Sequence, residues 1–298
     1  MLKKLLILTL IISCTSTIFA QDDYKGKWNA AYKLYRARKY AEAIPAFVKL
    51  GERDDISPQN KNSCYLHAGY SARNIKKYNE AAAFARKAGQ VKNPYGYESK
   101  TREIEFMHNG KKYKEITETI TADEIMEWPK YYRSNALHYL GLAQYSLKNG
   151  EDAEKTFRLM HENAVTSYHK GLASLRSANN YRHRIKDEGK ALAAYHAIIK
   201  NPKNKPDHKA EACDALASML ISKKKNDEAL AEYDKLVAIK KISPYWKGRG
   251  LYNKGNLLVK MGKKEEAAKC YKQSLAVKGS AGWVKKGCNS QLKKLQAK

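Results

Sequence analysis

The chain has 298 residues, 43% of them hydrophobic, with a mean hydropathy of −0.70 and a formal net charge of +27. The apolar residues are spread evenly and no low-complexity linker interrupts them, which excludes a disordered tether between separate domains. Five cysteines are too few, for this length, to make a disulfide scaffold.

The chain opens MLKKLLILTLIISCTSTIFAQDD, with two lysines, an apolar run from Leu5 to Ile12, a polar stretch and Phe19-Ala20 ahead of acidic residues. Eight apolar residues are too short to cross a bilayer, so this predicts a secretory signal over residues 1–20, cut after Ala20. An alternative reads Ile11-Ile12-Ser13-Cys14 as the lipobox of a bacterial lipoprotein, with lipid on Cys14. Either way the mature chain is exported, to the periplasm or the extracellular space or to a membrane anchor at Cys14, with no transmembrane span of its own. Loss of Lys3 and Lys4 leaves 55 basic residues against 30 acidic, a net +25.

Beyond the leader, the segments AEAIPAF, NEAAAFA, KEITETI, EDAEKTF, GKALAAY, DEALAEY and EEAAKCY recur. Taking Ala43, Ala81, Ile116, Ala153, Ala191, Ala229 and Ala267 as reference positions, the spacings are 38, 35, 37, 38, 38 and 38 residues. The register predicts repeats at about 24–60, 62–96, 97–132, 134–170, 172–208, 210–246 and 248–280. The third is the most degenerate, with Ile104 and Ile116 where small residues are expected. Six of the seven prolines, Pro58, Pro94, Pro129, Pro202, Pro206 and Pro244, fall between repeats, where they stop one helix and let the next start at an angle. Pro45 reads as lying in the first turn of a second helix, where a missing donor costs little.

The clearest copy is Leu251 to Val277, LYNKGNLLVKMGKKEEAAKCYKQSLAV. Leu251, Gly255 and Leu258 share one helical face, Met261-Gly262 breaks it, and Ala267, Tyr271 and Ser274 form the facing stripe of a second helix. Leu137, Leu140, Gly141, Ala153 and Phe157 repeat the pattern in the fourth copy. This resembles the tetratricopeptide repeat, with its W-x2-L-G-x2-Y first helix and A-x3-F second helix. The resemblance covers about residues 24–277 and implies an all-α solenoid of about seven helix pairs. Residues 281–298, with Trp283, Val284, Cys288, Leu292 and Leu295 at helical spacing, read as a capping helix that closes the last apolar face.

Of the mature cysteines, Cys64 and Cys213 lie about four repeats apart, too far for a disulfide. Cys270 and Cys288 are the one sequence-near pair, and buried free thiols are the expected state. No CxxC or Cys/His cluster has zinc spacing, and no GxSxG, HExxH, GxxxxGK[ST] or EF-hand loop occurs. Gly248-Arg249-Gly250 reads as packing glycines in a helix rather than as a phosphate loop. His161 with Glu162, and His183 between Arg182 and Arg184, read as surface side chains. The expectation is a non-enzymatic protein with no cofactor and no metal.

In the resembled family the outer face of each first helix lines a groove that holds a protein or peptide partner. By register that face carries Trp28, Tyr32, Tyr35, Arg36, Tyr70, Arg73, Asn74, His138, Tyr145, Arg176, Asn180, His183, Arg184, Arg249, Tyr252, Asn253 and Asn256, a set of aromatic residues, amides and arginines suited to recognition. Tyr195, Tyr233 and Tyr271 read instead as core. A carboxylate clamp of the family's kind is matched at Arg176, Asn180 and Arg249, whereas Ala215 and Asn253 depart from it. The alternative partner is a polyanion, an anionic glycan or lipid head group, because Leu236 to Lys298 holds 16 basic residues against Glu265 and Glu266. Lys285, Lys286, Lys293 and Lys294 would carry it. Nucleic acid fits export poorly. Mass spectrometry of the native N terminus is expected to find a chain starting at Gln21; a lipid-modified Cys14 would establish the lipoprotein reading instead.

Overall fold

A computed structural model describes residues 23–91 and 96–296, and every regular element among them is helical. The signal segment with Cys14, and Pro94, lie outside these residues. The chain divides into two compact units at Asn149 and Gly150. In the first, a helix over 23–36 (α1) pairs with Tyr40–Gly51 (α2), and Pro58–Asn74 (α3) pairs with Tyr78–Gln90 (α4). Gly96–Asn109 (α5) is followed by two short pieces, Tyr113–Thr119 (α6) and Ala122–Met126 (α7), and Lys130–Ser146 (α8) ends the unit. The second unit holds Gly150–Asn163 (α9), Ser167–Asn180 (α10) extended by a π-helical turn Tyr181–Ile185, and Glu188–Lys200 (α11). Pro206–Ser222 (α12), Asn226–Ala238 (α13), Pro244–Lys260 (α14), Lys264–Ala276 (α15) and Gly282–Gln296 (α16) complete it. In chain order these are seven helix pairs and a terminal helix, the all-α solenoid class that the repeat register implies.

One backbone device closes every pair. Arg38, Lys76, Lys111, Lys148, Lys186, Lys224 and Gly262 have φ between 60° and 79°, the left-handed region. Their spacing reproduces that of the small-residue positions. At six of the seven turns, the N–H of the next residue donates to a carbonyl five residues back, as from Lys39 to Leu34, Lys225 to Leu220 and Lys263 to Leu258, which satisfies orphan carbonyls at the helix end. The fifth turn spans six residues instead, from Asp187 to Tyr181, because the π-turn inserts one. Six of these seven left-handed residues carry a side chain, although glycine takes that conformation at no steric cost.

The packing face is built from the residues that set the register. Ala43, Ala81, Ile116, Ala153, Ala191, Ala229 and Ala267 are all fully buried. A Cβ on Gly255 would meet the Tyr271 ring at 2.6 Å, so the glycine is what lets α14 approach α15. Tyr195, Tyr233 and Tyr271 are core residues, and two of their hydroxyls reach amides at the edge: Tyr195 donates to Asn179 at 2.5 Å and Tyr271 to Asn256 at 2.8 Å. Between neighbouring pairs, buried Asn62 donates to the Ala88 carbonyl (2.9 Å) and to Ser99 Oγ (2.7 Å), tying α3 to α4 and α5.

Three details depart from the sequence expectation. Pro45 sits six residues into α2, beyond the first turn, so one backbone bond is given up inside the helix. The third second-helix is broken: Ile120 is extended (φ −147°, ψ 141°), after which Thr121 starts α7 with a capping box to Glu124. First helices also begin ahead of their pattern residues, α10 at Ser167 and α12 at Pro206, because a polar first turn carries no apolar signal.

Cys64, Cys213, Cys270 and Cys288 are buried free thiols, and burial pushes Cys64 up to about 11 and Cys213 up to about 12. In denaturant titrations, Gly255→Leu is expected to cost about 2 kcal/mol or more by overpacking Tyr271. Lys224→Gly is expected to gain roughly 0.5–1 kcal/mol by relieving the left-handed turn. An unchanged midpoint in both would contradict this account of the pairs.

Candidate functional site

Within the second unit, the outward faces of α10, α12 and α14 enclose an open cavity of about 480 Å³. Residues spaced three or four apart on each helix supply its lining, and the π-turn brings in Arg182 and His183 after α10 has ended. Two of its three arginines are pinned by hydrogen bonds. Arg249 donates to Asp214 Oδ2 at 2.7 Å and to the Tyr245 hydroxyl at 3.1 Å, while its guanidinium lies 4.8 Å from the centre of the Trp246 ring. Asn253 takes the other Asp214 oxygen at 2.8 Å, so this nearly buried carboxylate spends both oxygens on α14. Arg182 reaches the Ala215 carbonyl (3.1 Å) and Ser218 Oγ (2.9 Å). Arg176 lies 3.9 Å from Glu211, and its Nε is buried with no partner among the described residues.

The site therefore offers three guanidinium groups, two of them pinned, against two carboxylates, beside two aromatic rings. Partial desolvation, then the charges of Arg182 and Arg184, lower the His183 pKa and so favour its neutral form, although the side chain stays exposed. A second cavity of about 320 Å³ adjoins the first through Asp214, Ser218 and Arg249, and Asn253, Asn256 and Lys260 line its far side. Such a surface can orient carbonyl, amide and anionic groups of an extended ligand. It presents no nucleophile paired with a base.

The structure brings together Arg176, His183, Arg249, Asn253 and Asn256 from the expected set, with Ala215 on the cavity wall. It removes Asn180. That side chain is fully buried and donates to the Gly150 carbonyl at 2.8 Å, so it serves the fold and cannot complete a clamp. Tyr252 packs over Gly287 and edge-on to Trp283 at 5.9 Å rather than into the cavity, and Arg184 packs against Gly150. Arg182, Glu211, Asp214, Ser218, Tyr245 and Trp246 were not anticipated. Glu211, Ala215 and Ser218 at i, i+4 and i+7 were readable as one face; Arg182 was hidden by the π-turn.

In the first unit the expected aromatic residues assemble around a histidine. Trp28 and Tyr32 stack at 4.9 Å, Tyr32 and Tyr35 at 5.9 Å, and His67 sits edge-on to all three at 5.5–6.0 Å and 5.2 Å from Phe47. Tyr70 continues the row between His67 and Phe106, and Arg73 and Arg102 each lie 5.7 Å from its ring centre. Both arginines bond the nearly buried Glu105, at 3.1 and 2.7 Å. Arg36 and Asn74 stay exposed at helix ends, and His138 and Tyr145 are half-buried on α8. Lys285, Lys286, Lys293 and Lys294 are exposed on α16.

Paired helices of this length, closed by left-handed turns, define a helical-repeat scaffold. The sequence signature of a tetratricopeptide repeat-like domain matches residues 127–297, more than half of the chain, and the chain belongs to that family. It is similar in fold to a tetratricopeptide repeat protein from Parabacteroides merdae ATCC 43184, with a TM-score of 0.58 and 16% identity over 92% of this chain and 98% of that one. The C-terminal part of a TPR repeat-containing protein from Cytophaga hutchinsonii is similar at a TM-score of 0.50 and 15% identity, over 87% and 98%. No curated protein matches the chain.

Burial, partly offset by a bond to the Ser63 carbonyl, depresses the His67 pKa below its ordinary 6.5. A base depressed in the folded state gives stability that is complete above the unfolded pKa and lost as pH falls below it. The unfolding midpoint is therefore expected to drop as pH is lowered from about 7 toward 5, and His67→Phe should flatten part of that drop. An equal drop in the variant would remove His67 from the account.

Proposed function

We propose that the chain is an exported, non-enzymatic scaffold that holds an extended segment of a protein partner along the first-helix face of its second unit. The observation behind this reading is the set of Arg176, Arg182 and Arg249 around an open cavity of about 480 Å³, with Arg182 and Arg249 pre-positioned by a carboxylate, two hydroxyls, a carbonyl and an indole. Side chains fixed before binding lose little entropy when a partner arrives. Arginine and aromatic groups are also the commonest anchors of protein interfaces. With Asn180 buried, the reading does not depend on a partner's C-terminal carboxylate. Export rests on the character of residues 1–20, which fits capture of a partner in the cell envelope.

The test is a pull-down from the native envelope followed by titration of the captured partner. Arg176→Ala with Arg182→Ala is expected to weaken binding by about 1–3 kcal/mol, with little dependence on salt. Partner binding unaffected by that pair, but abolished by charge reversal at Lys286, Lys293 and Lys294, would overturn the groove reading.

A further inference from the structure

The structure divides the basic residues into two populations. Up to residue 235 many lysines and arginines have a carboxylate within ion-pair distance, often one turn away on the same helix, as in Lys77 with Glu80 or Lys225 with Glu228. From Leu236 onward only Arg249 and Lys254 do, with Asp214 and Asp234, among the described residues. The remaining thirteen described cations of that stretch are all lysines, and the only acids there, Glu265 and Glu266, are exposed on α15 and pair with none of them.

Helix α16 focuses this excess. Its inner face, Val284 and Cys288, is buried against Leu258, Ala267, Cys270 and Tyr271. At helical spacing the opposite face carries Trp283, Lys286, Lys293 and Lys294, all exposed, with the Trp283 side chain 51% accessible. Lys269 and Lys272 stand exposed on α15, the helix that α16 packs against. No described helix is long and apolar enough to cross a membrane.

We propose that this outer face of α16, with the adjoining lysines of α15, docks on the surface of a bilayer rich in anionic headgroups. The chemistry selects that partner in two ways. Lysine supplies compact, mobile point charges rather than the bidentate fork with which arginine reads an individual anion, so the face suits a dense anionic surface more than a single phosphate site. The exposed indole at the same face matches the headgroup region, where an amphipathic ring keeps its apolar body in the acyl boundary and its N–H in water. The attraction is electrostatic and the indole adds a shallow anchor, so docking is reversible.

Co-sedimentation of the purified chain with phosphatidylcholine vesicles, with and without phosphatidylglycerol, tests this. Binding is expected only to the anionic vesicles at low ionic strength and should disappear near about 0.5 M salt. Each lysine near such a surface is worth about fivefold in affinity, so Lys286→Glu, Lys293→Glu and Lys294→Glu together should weaken binding by more than about a hundredfold. Their thermal midpoint should fall only slightly, because these exposed side chains make no ion pair among the described residues and lose only the weak, screened attraction of Lys293 and Lys294 to the C-terminal end of α16. Trp283→Ala should weaken binding several-fold at unchanged charge. Failure to bind anionic vesicles at low salt, full binding by the triple variant, or binding to soluble polyphosphate without binding to vesicles would each overturn the proposal.

Discussion

Everything in this protein depends on how each helix pair is closed. A single residue turns left-handed, the next N–H reaches back to a carbonyl in the preceding helix, and two amphipathic faces meet within a few residues of chain. Small side chains on those faces then decide how closely the backbones approach. The two requirements are coupled, since a turn in the wrong register would present lysines to the interface instead of Ala229 or Ala267. That six of the seven turns tolerate a lysine or arginine in a strained conformation shows how strongly the packing behind them fixes the geometry.

The candidate site inherits its order from that packing. Asp214 can hold Arg249 and Asn253 at once because α12 and α14 are fixed at one spacing by the helix between them, α13, whose Ala229 and Leu236 are fully buried. The π-turn after α10 is the local exception that adds to the site. By inserting a residue it carries Arg182 across to α12, where the Ala215 carbonyl and Ser218 hydroxyl receive it. In the first unit a buried carboxylate, Glu105, does the corresponding work for Arg73 and Arg102 beneath Tyr70.

The repeat period was legible because a buried alanine or glycine leaves the same mark at each helix contact, and Tyr195, Tyr233 and Tyr271 marked the core beside it. Helix beginnings were not, since residues such as Lys205 and Pro206 carry no periodic apolar signal. The break between α6 and α7 was foreshadowed only by Ile104 and Ile116 in place of small residues. About a third of the lining of the two cavities in the second unit was readable from outward arginines, amides and a histidine. The acids were missed because Asp214 and Glu211 look like solvated helix carboxylates until the neighbouring helix places an arginine over them. Asn180 failed in the opposite sense: a polar residue on the expected face turned inward to bond a backbone carbonyl.

The four buried thiols carry a consequence for the life of the folded chain. Each is buried, and burial makes the Cys64 and Cys213 thiols resist ionisation, so these cysteines are protected from oxidants and thiol exchange while the chain is folded. Once unfolded, all four are free to react with one another or with other chains. In an oxidising medium these reactions compete with refolding whenever the chain opens. A molecule oxidised while open leaves the folding equilibrium, and where that outpaces refolding, durability follows how slowly the chain opens rather than how stable it is.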